Sequence, residues 1–141
     1  MTAPSQDDLR KIYADTKTIA VIGVSADESK ASNRIPRYLQ SQGYRIIPVT
    51  PKGGEILGEK AYPSLTEIEG DVDVVDVFRP AEEAPAIARD AVAIGAKVLW
   101  LQSGIESEEA ERIGEDGGLV VVMDRCMGAT HRQLGLGPGP D

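Results

Sequence analysis

The sequence predicts an α/β protein: a single domain whose parallel sheet is covered by helices on both faces. Short apolar runs rich in β-branched residues recur along the chain, and they alternate with segments of helical pattern. Glycine stands where several of these segments should stop. The chain has 141 residues, enough for one domain with a real core and too few for two. In such sheets crossovers are right-handed, and ligands sit outside the carboxyl ends of the strands near the switch point.

Ser5-Gln6-Asp7-Asp8 has capping-box spacing, and Leu9, Ile12 and Tyr13 follow on one helical face, so a helix is expected from Ser5 to about Asp15, packed across the sheet. Thr18 to Gly23 reads as the first strand, buried on both faces. Asn33 to Gly43 reads as a helix with Pro36 in its first turn and Gly43 as its stop. Arg45 to Val49 is a strand in which Pro48 removes a ladder donor, which suits an edge position or an early strand end. Lys52 to Glu69 reads as a loop leading to a brief helix. Asp73 to Phe78 and Lys97 to Leu101 are strands joined by the Ala-rich helical segment Ala81–Ile94, which Gly95 ends. Ser107 caps a short acidic helix, and Leu119 to Met123 is the last strand. Trp100 alternates with Leu99 and Leu101, which points to core packing. The domain spans residues 5–136, and residues 137–141 form a flexible Gly/Pro tail.

The formal charge of −8 argues against nucleic acid as a partner. No apolar run is long enough to span a bilayer, and the first residues have neither the basic start nor the apolar stretch of a secretory signal. One cysteine cannot form an internal disulfide, and a reducing cytoplasm is the expected location.

The strand ends carry the chemistry. After the first strand comes Gly23-Val24-Ser25-Ala26-Asp27, without the G-x-G-x-x-G fingerprint of a dinucleotide turn. One glycine permits a tight turn and the Ser25 hydroxyl can donate to a phosphate. Asp27 and Glu28 repel one, and Lys30 and Arg34 offset them only in part. A phosphate site and a ligand-free βα turn both remain open on these residues. After the second strand, the acid that would hold an unphosphorylated ribose is replaced by Thr50-Pro51-Lys52. Lys52 and the Gly53-Gly54 backbone suit a phosphorylated ribose, as in coenzyme A or NADP, although a solvated surface lysine is the simpler alternative.

Val21-Ile22-Gly23-Val24-Ser25, Pro48-Val49-Thr50-Pro51-Lys52, Val74 to Arg79, Leu99 to Gly104 and Met123-Asp124-Arg125-Cys126 follow one another as the motifs of a known family do. Over about residues 8–136 the chain resembles the small stand-alone CoA-binding proteins, a Rossmann-type family. That domain is similar to the CoA-binding part of the succinyl-CoA ligase alpha subunit and of ADP-forming acyl-CoA synthetases. The resemblance implies a three-layer Rossmann-like fold with a five-stranded sheet of order 3-2-1-4-5, and a CoA or acyl-CoA ligand. It implies that Gly23, Val24 and Ser25 face the diphosphate with Arg34 nearby, and that Thr50, Pro51 and Lys52 flank the adenosine and its phosphate. Phe78, Arg79 and Pro80 close the third strand at the same edge, where Arg79 offers a phosphate its two-pronged fork or pairs with Glu82 or Glu83. Gln102, Ser103 and Gly104 end the fourth strand, where the Gln102 amide either orients the pantetheine or caps the turn. Two features depart from the family's pattern: Gly128-Ala129 stand where relatives carry charged residues, and the Asp27–Lys30 loop is unusually acidic.

Cys126 and His131 are the only thiol and the only imidazole. On one helix they would point about 140° apart, so a catalytic dyad needs a break at Gly128. A thiol near the CoA sulfur could instead form a mixed disulfide. No P-loop and no metal-ligand cluster is present. The sequence therefore reads as a CoA-binding module without evident catalysis of its own. Its alternatives are an NADP-dependent enzyme and the CoA-binding subunit of a ligase whose catalytic half lies on another chain. The partners expected are the small-molecule ligand and either a second copy or a ligase-type subunit.

Overall fold

A computed structural model describes residues 4–139. In chain order the elements are α1 (Gln6–Asp15), β1 (Thr18–Ile22), α2 (Ala31–Ser41), β2 (Arg45–Val49), β3 (Glu55–Ile56), β4 (Glu59–Lys60), β5 (Val74–Val77), α3 (Ala84–Ala93), β6 (Val98–Leu101), α4 (Glu108–Asp116), β7 (Val120–Val122) and α5 (Met127–Gln133). Short 3-10 turns lie at Leu65–Glu67 and Ala81–Glu83.

Five strands form one parallel sheet, ordered β2-β1-β5-β6-β7, and β3 and β4 form a separate antiparallel hairpin. Alternate residues of each strand feed two cores. Ile19, Val21, Ile46, Val74, Val98, Trp100 and Val122 face α1, α2 and α5. Ala20, Ile47, Val49, Val75, Val77, Leu99, Leu101 and Val121 face α3 and α4. This period-2 division gives the expected three layers. Trp100 is fully buried, and its indole N–H donates to the Arg125 carbonyl at 2.7 Å.

The sheet order departs from the expectation. Among the five strands it is 2-1-3-4-5, not 3-2-1-4-5. Among the described residues the backbone on the outer side of β2 is paired by a one-residue parallel bridge, Val49 to Tyr62, made by the chain leaving the β3–β4 hairpin. Pro48 lies on this outer side: its carbonyl accepts from Tyr62 N at 2.9 Å, and its nitrogen has no hydrogen to offer an added strand. The next long strand, β5, therefore pairs with the other side of β1. The edge position expected for Pro48 holds.

Ser5 caps α1 with the reciprocal box: its hydroxyl accepts from Asp8 N and the Asp8 carboxylate accepts from Ser5 N, both at 3.1 Å. The second helix begins two residues before Asn33, so Pro36 lies in its second turn rather than its first. Lys52–Glu69, read as a loop, contains the hairpin as well as the brief helix. The sequence does not announce helix α5, because its seven residues carry too little apolar periodicity. At the C-terminal end, Leu136 packs against the α1/α2 core and Gly139 N donates to the Gln42 carbonyl. Residues 140 and 141 of the expected tail, and the first three residues read for a signal, lie outside the described residues. Among the described residues no helix is long and apolar enough to cross a membrane.

Candidate functional site

The register sets the carboxyl ends of the strands at one level: Ile22 pairs with both Val49 and Val77, and Val77 pairs with Leu101. The loops that follow thus leave the sheet side by side, starting at Gly23, Thr50, Phe78 and Gln102. Backbone hydrogen bonds extend the ladder into them, from Gly23 N to Val49 O at 3.2 Å, Phe78 N to Ile22 O at 2.8 Å and Gln102 N to Val77 O at 3.3 Å. The first crossover runs to β2 on one side of β1 and the chain then returns to β5 on the other. That reversal is the switch point at which such sheets leave a crevice.

Gly23 has φ +84°, and a Cβ there would lie 2.8 Å from both the Phe78 carbonyl oxygen and Arg79 Cδ. Only glycine lets the β1 turn pass this close to the β5 loop. Val24 is buried beneath the turn. Ser25 is held by its neighbours: its hydroxyl accepts from Asp27 N at 3.0 Å, its amide donates to Ser32 O at 3.2 Å, and its carbonyl accepts from Asn33 Nδ2 at 2.8 Å. The acidic loop is folded in upon itself. Asp27 accepts from the Ser29 amide and hydroxyl, which hold its carboxyl below the usual range, and Glu28 lies 3.7 Å from Arg37. Arg34 is exposed and donates to the Ser29 carbonyl.

At the end of β2, Gly53 N donates to Thr50 O at 3.0 Å, closing a turn with Pro51 and Lys52 exposed at its corner. Gly53 and Gly54 both have positive φ, and apart from their chain neighbours no heavy atom of the described residues comes within 4 Å of where a Cβ would stand. At the end of β5, Arg79 grips Glu83 through both Nε and Nη2, the shortest contact being 2.7 Å. The pair raises the guanidinium's pKa and lowers the carboxyl's, and both side chains stay about half exposed. Phe78 is half-buried beside it.

Gln102 and Gly104 differ in their surroundings. Gly104 is exposed, and its amide donates to Asp124 Oδ1 at 2.6 Å, tying the β6 loop to the β7 loop. Gln102 is buried: Nε2 donates to Asp76 Oδ1 and Oε1 accepts from Met127 N at 3.3 Å. Its amide thus links the middle of β5 to the start of α5 rather than facing the open edge. Asp76 is fully buried, which pushes its carboxyl up to about 7 against the pull of the Gln102 N–H, and among the described residues its Oδ2 has no hydrogen-bond partner. The sequence shows Asp76 only as a polar residue inside an apolar strand, a signal that marks burial without naming a partner.

Cys126 and His131 have separate engagements. The Cys126 sulfur accepts from Ala129 N at 3.4 Å at the start of α5. His131 is buried among Tyr13, Tyr38 and Tyr44, with Nδ1 2.8 Å from the Tyr38 hydroxyl, and burial lowers its pKa.

Comparison with known proteins agrees with this topology. The chain is 39% identical to the protein YneT of Bacillus subtilis over 131 residues, 93% of this chain and 97% of that one. It is 31% identical over 132 residues to acetate–CoA ligase [ADP-forming] I of Archaeoglobus fulgidus, where it covers 85% of itself but only 19% of the ligase. A solved structure of a hypothetical protein from Pyrococcus horikoshii OT3 superposes with a TM-score of 0.90 at 35% identity, over 95% of this chain and 97% of that one. Residues 17–132, from the start of β1 into α5, match the CoA binding domain, and the chain belongs to that family.

Proposed function

We propose that the protein binds coenzyme A or an acyl-CoA across the carboxyl edge of its sheet. The observation that carries this reading is the fixed β1 turn at Gly23–Ser25, lying against the Arg79 loop in a chain of the CoA-binding domain family. The donor set fits such a ligand. A nucleotide with a diphosphate and a 3′-phosphate calls for cations and open backbone, and this edge offers Arg34, Lys52 and Arg79 with the uncrowded glycines 53, 54 and 104. Gly23, Val24 and Ser25 would line the diphosphate, Thr50, Pro51 and Lys52 the adenosine and its phosphate, and Phe78 and Gly104 the path of the pantetheine. Gln102 would act from beneath by fixing the α5 loop. Binding would take place in the cytoplasm. The match to one fifth of a ligase supports a second reading, in which the domain serves a catalytic partner chain.

The test is a thermal-shift and calorimetry panel of CoA, acetyl-CoA, dephospho-CoA, NADP and NAD. Ligand at about 100 times Kd stabilises the fold by about 2.7 kcal/mol, so CoA should raise the Tm. Dephospho-CoA should raise it less, and Lys52→Ala or Arg79→Ala should weaken CoA. No shift with CoA, or a larger one with NADP, overturns the reading. Co-purification of an ATP-binding chain would support the ligase-type partner.

A further inference from the structure

Pro36 stands inside α2, where a proline ordinarily weakens a helix because it removes one i to i−4 hydrogen bond. The carbonyl it leaves without that bond belongs to Ser32. In this protein the Ser32 carbonyl accepts instead from the amide of Ser25, at 3.2 Å, across the β1–α2 connection. One residue further along α2, the buried Asn33 side chain donates from Nδ2 to the Ser25 carbonyl at 2.8 Å. Both backbone groups of Ser25 are thus bonded to α2, one through a carbonyl that proline vacates and one through a buried amide. Among the described residues Asn33 Oδ1 has no hydrogen-bond partner, and donation to Ser25 is the one hydrogen bond its side chain makes.

We propose that Asn33 and Pro36 are positioning residues that hold the Gly23–Ser25 turn in its ligand-ready shape, Asn33 by its amide and Pro36 by lacking an N–H. The turn faces α2 through Ser25 and the β5 loop through Gly23, and a Cβ at Gly23 would strike that loop. Its backbone is therefore fixed on both sides before any ligand arrives. Preorganisation of this kind removes the cost of ordering a loop at the moment of binding. The role assigned to the turn rests on the CoA reading above. The holding of the turn does not, and the experiment separates the two.

Amide hydrogen exchange at Ser25 and calorimetric CoA affinity are measured on wild type, Asn33→Ala and Pro36→Ala. Pro36→Ala restores an N–H that competes for the Ser32 carbonyl, and it replaces a residue poorly suited to a helix interior by the best helix former. The Ser25 amide is then expected to exchange about tenfold faster and CoA to bind about tenfold more weakly, the worth of one hydrogen bond. The Tm of the free protein should stay level or rise. Stability and affinity moving in opposite directions is a signature that a merely structural proline would not give. Asn33→Ala should speed Ser25 exchange more than that of the β1 amides. Unchanged Ser25 exchange in both variants overturns the proposal, as does unchanged CoA affinity in a Pro36→Ala protein whose Ser25 amide has been released. If wild type binds no CoA while Ser25 is released in both variants, the CoA reading falls and the holding of the turn stands.

Discussion

Gly23 shows at the scale of one residue how the strand end restricts its own sequence. Its φ of +84° is strained for any L side chain, and the space beside it belongs to the Phe78 carbonyl, a backbone atom that cannot swing away. Gly23→Ala should destabilise the protein by about 1–3 kcal/mol in denaturant unfolding and weaken CoA binding as the Arg79 loop is displaced. An alanine variant with wild-type stability would contradict the close approach. Asp76 is the other residue whose chemistry is set by its surroundings. Its folded pKa is raised from 3.8 to about 7, so its contribution to stability is full below the unfolded value and is lost as pH rises through about 7. Its slope is at most about 1.4 kcal/mol per pH unit. Asp76→Asn keeps an oxygen for the Gln102 N–H and removes the titration. The stability advantage of the variant over wild type should therefore grow from pH 5 to pH 8, as read by unfolding at both values. An advantage that stays constant would refute the assignment.

At the scale of elements, the loop between β5 and α3 stores its cation. Arg79 and Glu83 form an exposed pair, which is worth about 0.2–1 kcal/mol, and a phosphate must displace the carboxylate to use the guanidinium. Glu83→Gln should therefore tighten CoA binding by up to about fivefold, the upper end of the same energy expressed as a Kd ratio. Equal affinity in calorimetry would mean that Arg79 does not reach the ligand. The last helix carries a different lesson. The helix α5 exists because Gln102 receives its first amide, and Trp100 and Tyr13 take the carbonyls of Arg125 and Met127 at 2.7 and 2.5 Å. All of these bonds come from residues 25 or more positions away in the sequence, so no local pattern announces the helix.

For the whole molecule, two buried groups set opposite pH trends. His131 is held below 6.5 chiefly by burial, so its contribution is full above that value and is lost as pH falls, whereas that of Asp76 is lost as pH rises. Below pH 6.5 the two slopes oppose and offset one another in wild type, so Asp76→Asn, which leaves only the rise from His131, should move the Tm maximum upward in pH. A maximum that does not move would show that surface carboxylates dominate. The fold class was legible throughout because each strand is a short apolar run bounded by a glycine or a cap, and burial on both faces requires such runs whatever their order. The order itself was not legible. Whether β5 joins β1 or the outer side of β2 depends on edges that meet only in three dimensions, and Pro48 gives a hint that becomes decisive once its nitrogen is seen to face outward.

The site divides in the same way. By itself the sequence determined that the turn glycine, the Lys52 corner and Arg79 stand at the strand ends and so are candidates for the site, because strand ends in a parallel sheet fall at one edge. Only the tertiary structure decided that Arg79 is held by Glu83, that Gln102 turns inward to Asp76, and that Asn33 and the carbonyl freed by Pro36 hold Ser25. The reason is that a hydrogen bond is satisfied by whatever donor the fold brings within about 3 Å, and sequence distance does not limit that choice.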